Sequence, residues 1–100
     1  FISWQTDEPA TSQVFYDVGV VRGRTLSKQT PKDENYTTNH IVVVSDFLPG
    51  TLYQLRAESL DRTGNKSQSE DYTIITPKKD ENIIDIIVTQ FQDAFGFLKR

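Results

Sequence analysis

The chain has no cysteine, no methionine, a single histidine (His40) and a single tryptophan (Trp4) in 100 residues. Without cysteine there are no disulfides, thiolate zinc sites or cysteine nucleophiles. That absence does not fix a compartment, because a cysteine-free domain folds equally well inside or outside a cell. One histidine leaves almost no material for a metal centre or a histidine-based triad. No stretch reaches the roughly 18 uncharged apolar residues of a membrane-spanning helix. Cations are also in the minority: 11 Lys and Arg stand against 14 Asp and Glu, a formal charge of −3. A chain with that balance and a pI near 5.0 lacks the clustered positive charge that phosphate backbones require, so nucleic acid is not an expected partner. These absences lead to the expectation of a non-enzymatic protein with no catalytic residues, no cofactor and no metal.

The remaining composition is that of an ordinary folded domain, 36% hydrophobic and 25% charged with a mean hydropathy of −0.50. One hundred residues make one domain. Two hydrophobic periods meet near Pro77. Up to that point the signal is period two, broken by turn residues. Ile2 and Trp4 alternate with Ser3 and Gln5 before Thr6-Asp7-Glu8-Pro9 breaks the strand. Val14, Tyr16 and Val18 alternate next, and Val20 to Leu26 reads as a weaker strand. Ser27 to Asn39 is polar, contains Pro31 and reads as a long surface loop. Ile41 to Val44 is a β-branched run closed by Asp46 and Pro49-Gly50. Tyr53, Leu55, Ala57 and Ser59 then point one way, with Gln54, Arg56 and Glu58 pointing the other. Asp61 to Asn65 is a hairpin loop with Gly64 at the position favouring positive φ, and Tyr72, Ile74 and Thr76 form the last alternating run. Some six short strands at this spacing, with no helix between them, predict an all-β antiparallel sandwich.

After Pro77, Lys78-Lys79-Asp80 reads as a linker, and the period changes. Ile84, Ile87, Val88, Phe91, Phe95 and Leu98 sit at helical spacing; at 3.6 residues per turn they fall within an arc of about 100°. An amphipathic helix is therefore expected over about 81–98, within a C-terminal segment 81–100. Asp80 is its expected N-cap, and Lys99-Arg100 its C-terminal charges. With Ile83, Ile86 and Phe97 added, the apolar arc widens to about 200°, more than docking on one surface uses.

The segment Phe47-Leu48-Pro49-Gly50-Thr51-Leu52-Tyr53 resembles the L-x-P-G-T-x-Y motif joining strands E and F of fibronectin type III domains. Ile2-Ser3-Trp4 resembles the strand-B tryptophan motif, and Thr6 to Ser12 the B–C turn of bacterial members. Tyr36 to His40 resembles the entry to strand E, and Asp61 to Asn65 the D-x-x-G-N loop between strands F and G. The resemblance covers residues 1–77 and is nearest to the bacterial surface-protein type, similar to the small N-terminal domain of purple acid phosphatases. It implies an immunoglobulin-like, fibronectin type III sandwich that starts at strand B, with Trp4, Tyr16, Phe47, Tyr53, Leu55 and Tyr72 as its structural core. It further implies an extracellular or cell-surface module for adhesion, assembly or protein–protein interaction. The alternative is a non-catalytic accessory domain of a secreted phosphatase or glycan-active enzyme. Strand A has no counterpart here, so an exposed strand-B edge is expected unless upstream sequence or another chain supplies a strand.

Each isolated chemical motif has a simpler structural reading. Asp17-Val18-Gly19 matches the D-x-G fragment of metallophosphatase centres, but such centres need several more ligands, and it reads as a strand end with a turn glycine. His40, beside a polar loop, reads as a surface histidine. The pairs Asp7-Glu8 and Asp33-Glu34 fall in expected loops. Asn35-Tyr36-Thr37 and Asn65-Lys66-Ser67 fit the N-x-[ST] glycosylation acceptor at Asn35 and Asn65. Ligand recognition in such folds uses end loops, here Thr6–Ser12 and Asp61–Asn65, or a sheet face. The expected partner is therefore another protein or a second copy, met by the helix face of Ile84, Ile87, Val88, Phe91, Phe95 and Leu98 or by the strand-B edge. Membrane contact is disfavoured because Asp85 and Asp93 lie on the polar face of that helix with no Lys or Arg.

Overall fold

A computed structural model describes residues 1–21, 23, 25–78 and 86–88. The described chain is all-β: β1 (Ile2–Val18), β2 (Lys28–Gln29), β3 (Asp33–Val42), β4 (Leu52–Leu60), β5 (Lys66–Gln68), β6 (Tyr72–Ile75) and β7 (Ile86–Ile87). All the pairings are antiparallel except that of β7 with β1.

The long β1 belongs to two ladders. Its first residues pair with β3, Ile2 opposite Val42 and Trp4 opposite His40. Its last residues pair with β4, Val14 opposite Ala57 and Val18 opposite Tyr53, and also with β2. Between the two, the register slips. Gln5 faces Asn39 and Ala10 faces Thr37, so residues 6–9 of β1 stand against Thr38 alone. The Thr6 hydroxyl donates to the Glu8 carbonyl at 2.7 Å inside this bulge. Pro9, which has no N–H to offer a ladder, sits in the looped-out stretch, where that costs nothing. The break expected at Thr6–Pro9 is thus a bulge inside a continuous extended segment.

Two other strand expectations are corrected. Val20 to Leu26 forms no strand among its described residues; the short β2 lies just beyond it. Residues 33–39, read as loop, form most of β3. Their polar side chains conceal a strand whose support is the backbone ladder to β1 and which leaves most of its side chains in water.

The hydrophobic cluster takes Ile2, Trp4 and Val88 from one ladder and Val14, Tyr16, Tyr53, Leu55 and Ala57 from the other. Val42, Val44, Phe47, Tyr72, Ile74 and Ile86 pack against it. Both ladders sharing one core is compatible with a β-sandwich. Among the residues expected in the core, Trp4, Tyr16, Tyr53 and Leu55 are buried, while Phe47 and Tyr72 are half-buried. Tyr53 places its ring against Phe47, centroids 4.4 Å apart, and its hydroxyl accepts from the Leu48 N–H at 2.8 Å. That one side chain fixes the corner leading into β4. Thr76 ties the same corner, donating to the Leu48 carbonyl and accepting from the Thr51 N–H.

The C-terminal region departs from expectation where it is described. Ile86 and Ile87 run parallel to Ile2 and Ser3, with Ile86 N–H donating to the Phe1 carbonyl and Val88 N–H to the Ser3 carbonyl, each at 2.8 Å. Ile87 therefore lies on a strand, not on a helix face, and Val88 directly follows it, bonded to the same β1 edge. The β-branched run Ile86-Ile87-Val88 suits an extended backbone, and that backbone satisfies carbonyls of the β1 edge, which a helix would leave unpaired. The strand-B edge expected to be open is covered at Phe1–Ser3 by this chain's own residues. The other residues of the expected helix face, Ile84, Phe91, Phe95 and Leu98, lie outside the described residues.

Trp4 spans the ladders: it sits on β1, is buried, and donates from its indole Nε1–H to the Ser59 hydroxyl on β4 at 2.8 Å. Trp4→Ala removes the largest core side chain and leaves that hydroxyl without its donor. The expected loss is about 3–5 kcal/mol, enough to unfold a domain of this size. Thermal and urea denaturation measure it, and near-wild-type melting would contradict the assignment of Trp4 to the core.

Candidate functional site

The candidate site lies on the β7–β1–β3 ladder. Cross-strand register sets Ile87, Ser3 and Ile41 in one row and Gln5 with Asn39 in the next. Because alternate residues share a face, these side chains point away from the core. Ile41 is 67% exposed and Ile87 69%. Val43 and Phe1 are exposed nearby. The Gln5 side-chain amide donates to Asn39 Oδ1 at 3.0 Å. Ser3, Gln5, Asp7, Asn39, Ile41 and Ile87 contribute to the lining of an open groove of about 880 Å³, which Trp4, His40 and Val88 also reach. Apolar flanks around an amide pair suit a segment of protein chain.

On the core side of the ladder lies a polar cluster that the sequence does not announce. His40 is 1% exposed, not a surface residue. Its ring stacks on Trp4, centroids 5.1 Å apart and planes 11° from parallel. Nε2 lies 2.9 Å from the Thr6 hydroxyl and Nδ1 2.6 Å from the Ser12 hydroxyl. The tautomer follows from proton bookkeeping. Thr6 spends its hydroxyl proton on the Glu8 carbonyl, so it accepts from Nε2–H, and Nδ1 accepts from Ser12. Neutral imidazole satisfies all three groups. Burial pushes the His40 pKa down to about 4, against the raising influence of the Asp33 charge.

This cluster is not arranged as a catalytic dyad. Ser12 donates to Nδ1 as a nucleophile would, but it is 2% exposed, and the other ring nitrogen meets a threonine where a triad has a carboxylate. Among the described residues no group of three or more His, Asp or Glu is placed to hold a metal ion. Asp17 accepts from the Ser27 N–H and hydroxyl and from its neighbour Val18 N–H. It therefore serves the turn at Gly19, whose φ is 82°. Asp33 caps the start of β3 by accepting from the Asn35 N–H.

The two end loops serve structure. Thr6–Ser12 carries the bulge. In Asp61–Asn65 the Asp61 carboxylate accepts from the Thr63 N–H and hydroxyl and from the Asn65 N–H and side-chain amide. Burial alone would raise the Asp61 pKa, but these hydrogen bonds outweigh it and hold the carboxyl below its usual value. Arg62 stacks over Tyr36, 5.1 Å from the ring centroid, joining this loop to β3. Of the two glycosylation acceptors, Asn35 is exposed on β3, whereas the Asn65 amide is engaged with Asp61 and Thr63. On the far ladder Tyr16 donates to the Asp46 carboxylate at 2.7 Å; burial, then that hydrogen bond and charge, push its pKa up to about 12.

No protein-family model, characterised protein or solved structure matches this chain.

The His40 cluster sets an acid limit on the fold. The folded state holds imidazole neutral down to about pH 4, whereas the unfolded chain protonates it near pH 6.5. The unfolded state then binds the extra proton, so stability is full above pH 6.5, falls as pH drops toward 4, and loses no more from this group below that. The size of the loss is about 3 kcal/mol. Urea unfolding followed by Trp4 fluorescence from pH 7 to pH 4.5 measures it, with His40→Gln as the control. The variant is less stable at pH 7 but flatter with pH, and parallel curves for the two proteins would refute the assignment.

Proposed function

We propose that this chain is a non-catalytic, fibronectin type III-type module that makes protein–protein contacts for assembly at a cell surface or outside the cell. Three features support the fold type. The two ladders divide the strands as β7, the start of β1 and β3 against β2, the end of β1, β4 and β5–β6. Trp4 lies between them. Tyr53 bonds backbone at the corner of the Phe47–Tyr53 motif. The location follows from the resemblance.

The observation that carries the functional reading is the outward apolar row of the β7–β1–β3 ladder. Ile41 and Ile87 stand exposed on either side of Ser3 beside the groove. Scattered exposed aliphatics are ordinary, but aliphatics aligned by register on one sheet face and bordering a groove mark a contact surface. The contact is assigned to this sheet face, on which Ile87 is an exposed strand residue.

The test is light scattering after size exclusion on the full chain at rising concentration, beside the double variant Ile41→Lys/Val43→Lys. Both side chains are exposed, so melting stays near that of the wild type. On chains kept folded throughout, the expected result is a wild-type mass that grows with concentration and a double variant that stays monomeric. A wild type monomeric throughout, or a variant that associates equally well, would overturn the assembly reading.

A further inference from the structure

The geometry points to the Phe1–Ser3 edge of β1 as a strand-acceptor site whose ligand is the Ile86–Val88 segment of a second copy of this chain, exchanged reciprocally for the chain's own. The inference rests on the assembly reading and adds to the sheet-face contact a second one, made by another copy at the strand edge.

The site has three parts on β1. The carbonyls of Phe1 and Ser3 accept backbone hydrogen bonds from Ile86 and Val88. Beside them lies a place in the core for Val88, which is 2% exposed and clusters with Ile2 and Trp4. The third part is a half-buried place for Ile86. The chemistry selected is an extended segment, parallel to β1, with β-branched side chains at alternate positions. The segment known to fit is present in every copy.

β7 has only two residues, and an element that short opens locally more readily than the long strands β1 and β4. Opening vacates the places of Ile86 and Val88 beside Ile2 and Trp4, on an edge that templates the pairing of another strand. Parallel pairing cannot be closed by a tight turn. Residues 79–85 lie between the fixed Thr76–Lys78 segment and β7, and a stretch of that length spans up to about 25 Å, which is the reach of an exchanged strand. Exchange reproduces each contact twice about a two-fold axis and so closes as a dimer. The closed monomer competes with an effective concentration of about millimolar, so exchange is favoured when chains are refolded together at high concentration.

The absence of cysteine makes the test clean. Ser3 and Ile87 are register partners, so Ser3→Cys and Ile87→Cys report their proximity by disulfide formation. Two single-cysteine full-length chains, one carrying a mass tag, are refolded together at high concentration and oxidised. Non-reducing gels and mass spectrometry then count the products. The expected result is a Ser3→Cys/Ile87→Cys heterodimer in excess over both homodimers and beyond statistical pairing, retained when both chains also carry Ile41→Lys and Val43→Lys. Statistical pairing alone would overturn strand exchange. So would a chain carrying both cysteines that closes only on itself while the single-cysteine pair yields no excess heterodimer. Self-association lost with Ile41→Lys/Val43→Lys, without excess heterodimer, removes strand exchange and leaves the sheet-face reading standing.

Discussion

The contact on which the structure turns is the stack of Trp4 on His40, with its hydrogen bonds on both sides. Trp4 reaches Ser59 across the core. His40 holds Thr6, inside the bulge in β1, and Ser12, beyond it. Five side chains from β1, β3 and β4 are thereby joined in a buried polar cluster, and together they fix where β1 leaves one ladder for the other. Apolar residues of equal volume would fill the same space without defining that register. A buried network in which every partner is satisfied contributes specificity as well as energy. The aliphatic core of Val14, Leu55 and Ala57 packs on the far ladder, whose geometry this cluster relates to the first.

Much of this architecture is legible in the residues. Pro49-Gly50 before an alternating Tyr53-Leu55-Ala57-Ser59 run announces both the corner and the strand, and Gly64, with φ 88°, is where the hairpin requires it. Trp4 and Tyr53 are large, amphipathic and set in period-two runs, so their burial follows from pattern. What stays illegible has specific physical causes. His40 follows Thr38-Asn39, and no local signal says that it faces Trp4; only the pairing of β1 with β3 brings them together. Residues 33–39 carry side chains of loop character because β3 leaves most of them in water, and a backbone ladder leaves little mark on composition. The groove is likewise a product of register, since Ile87, Ser3 and Ile41 meet only once three strands are aligned.

The C-terminal segment shows how one pattern serves two periods. Ile83-Ile84-Asp85-Ile86-Ile87-Val88 satisfies helical spacing, and its β-branched run satisfies a strand equally well. Local sequence cannot choose between them, because the deciding quantity lies elsewhere in the chain. A helix satisfies its own backbone and would leave the Phe1 and Ser3 carbonyls to water. A strand satisfies those carbonyls and places Val88 in the core. Burying a valine is worth roughly 1.5–3 kcal/mol, and each added backbone hydrogen bond contributes about 1 kcal/mol. Intrinsic helix preference over three β-branched residues cannot match that sum, since such residues are themselves poor helix formers. The Phe1–Ser3 edge of β1 therefore selects the conformation of Ile86–Val88, and the same selectivity makes that edge a site for a strand of this chemistry.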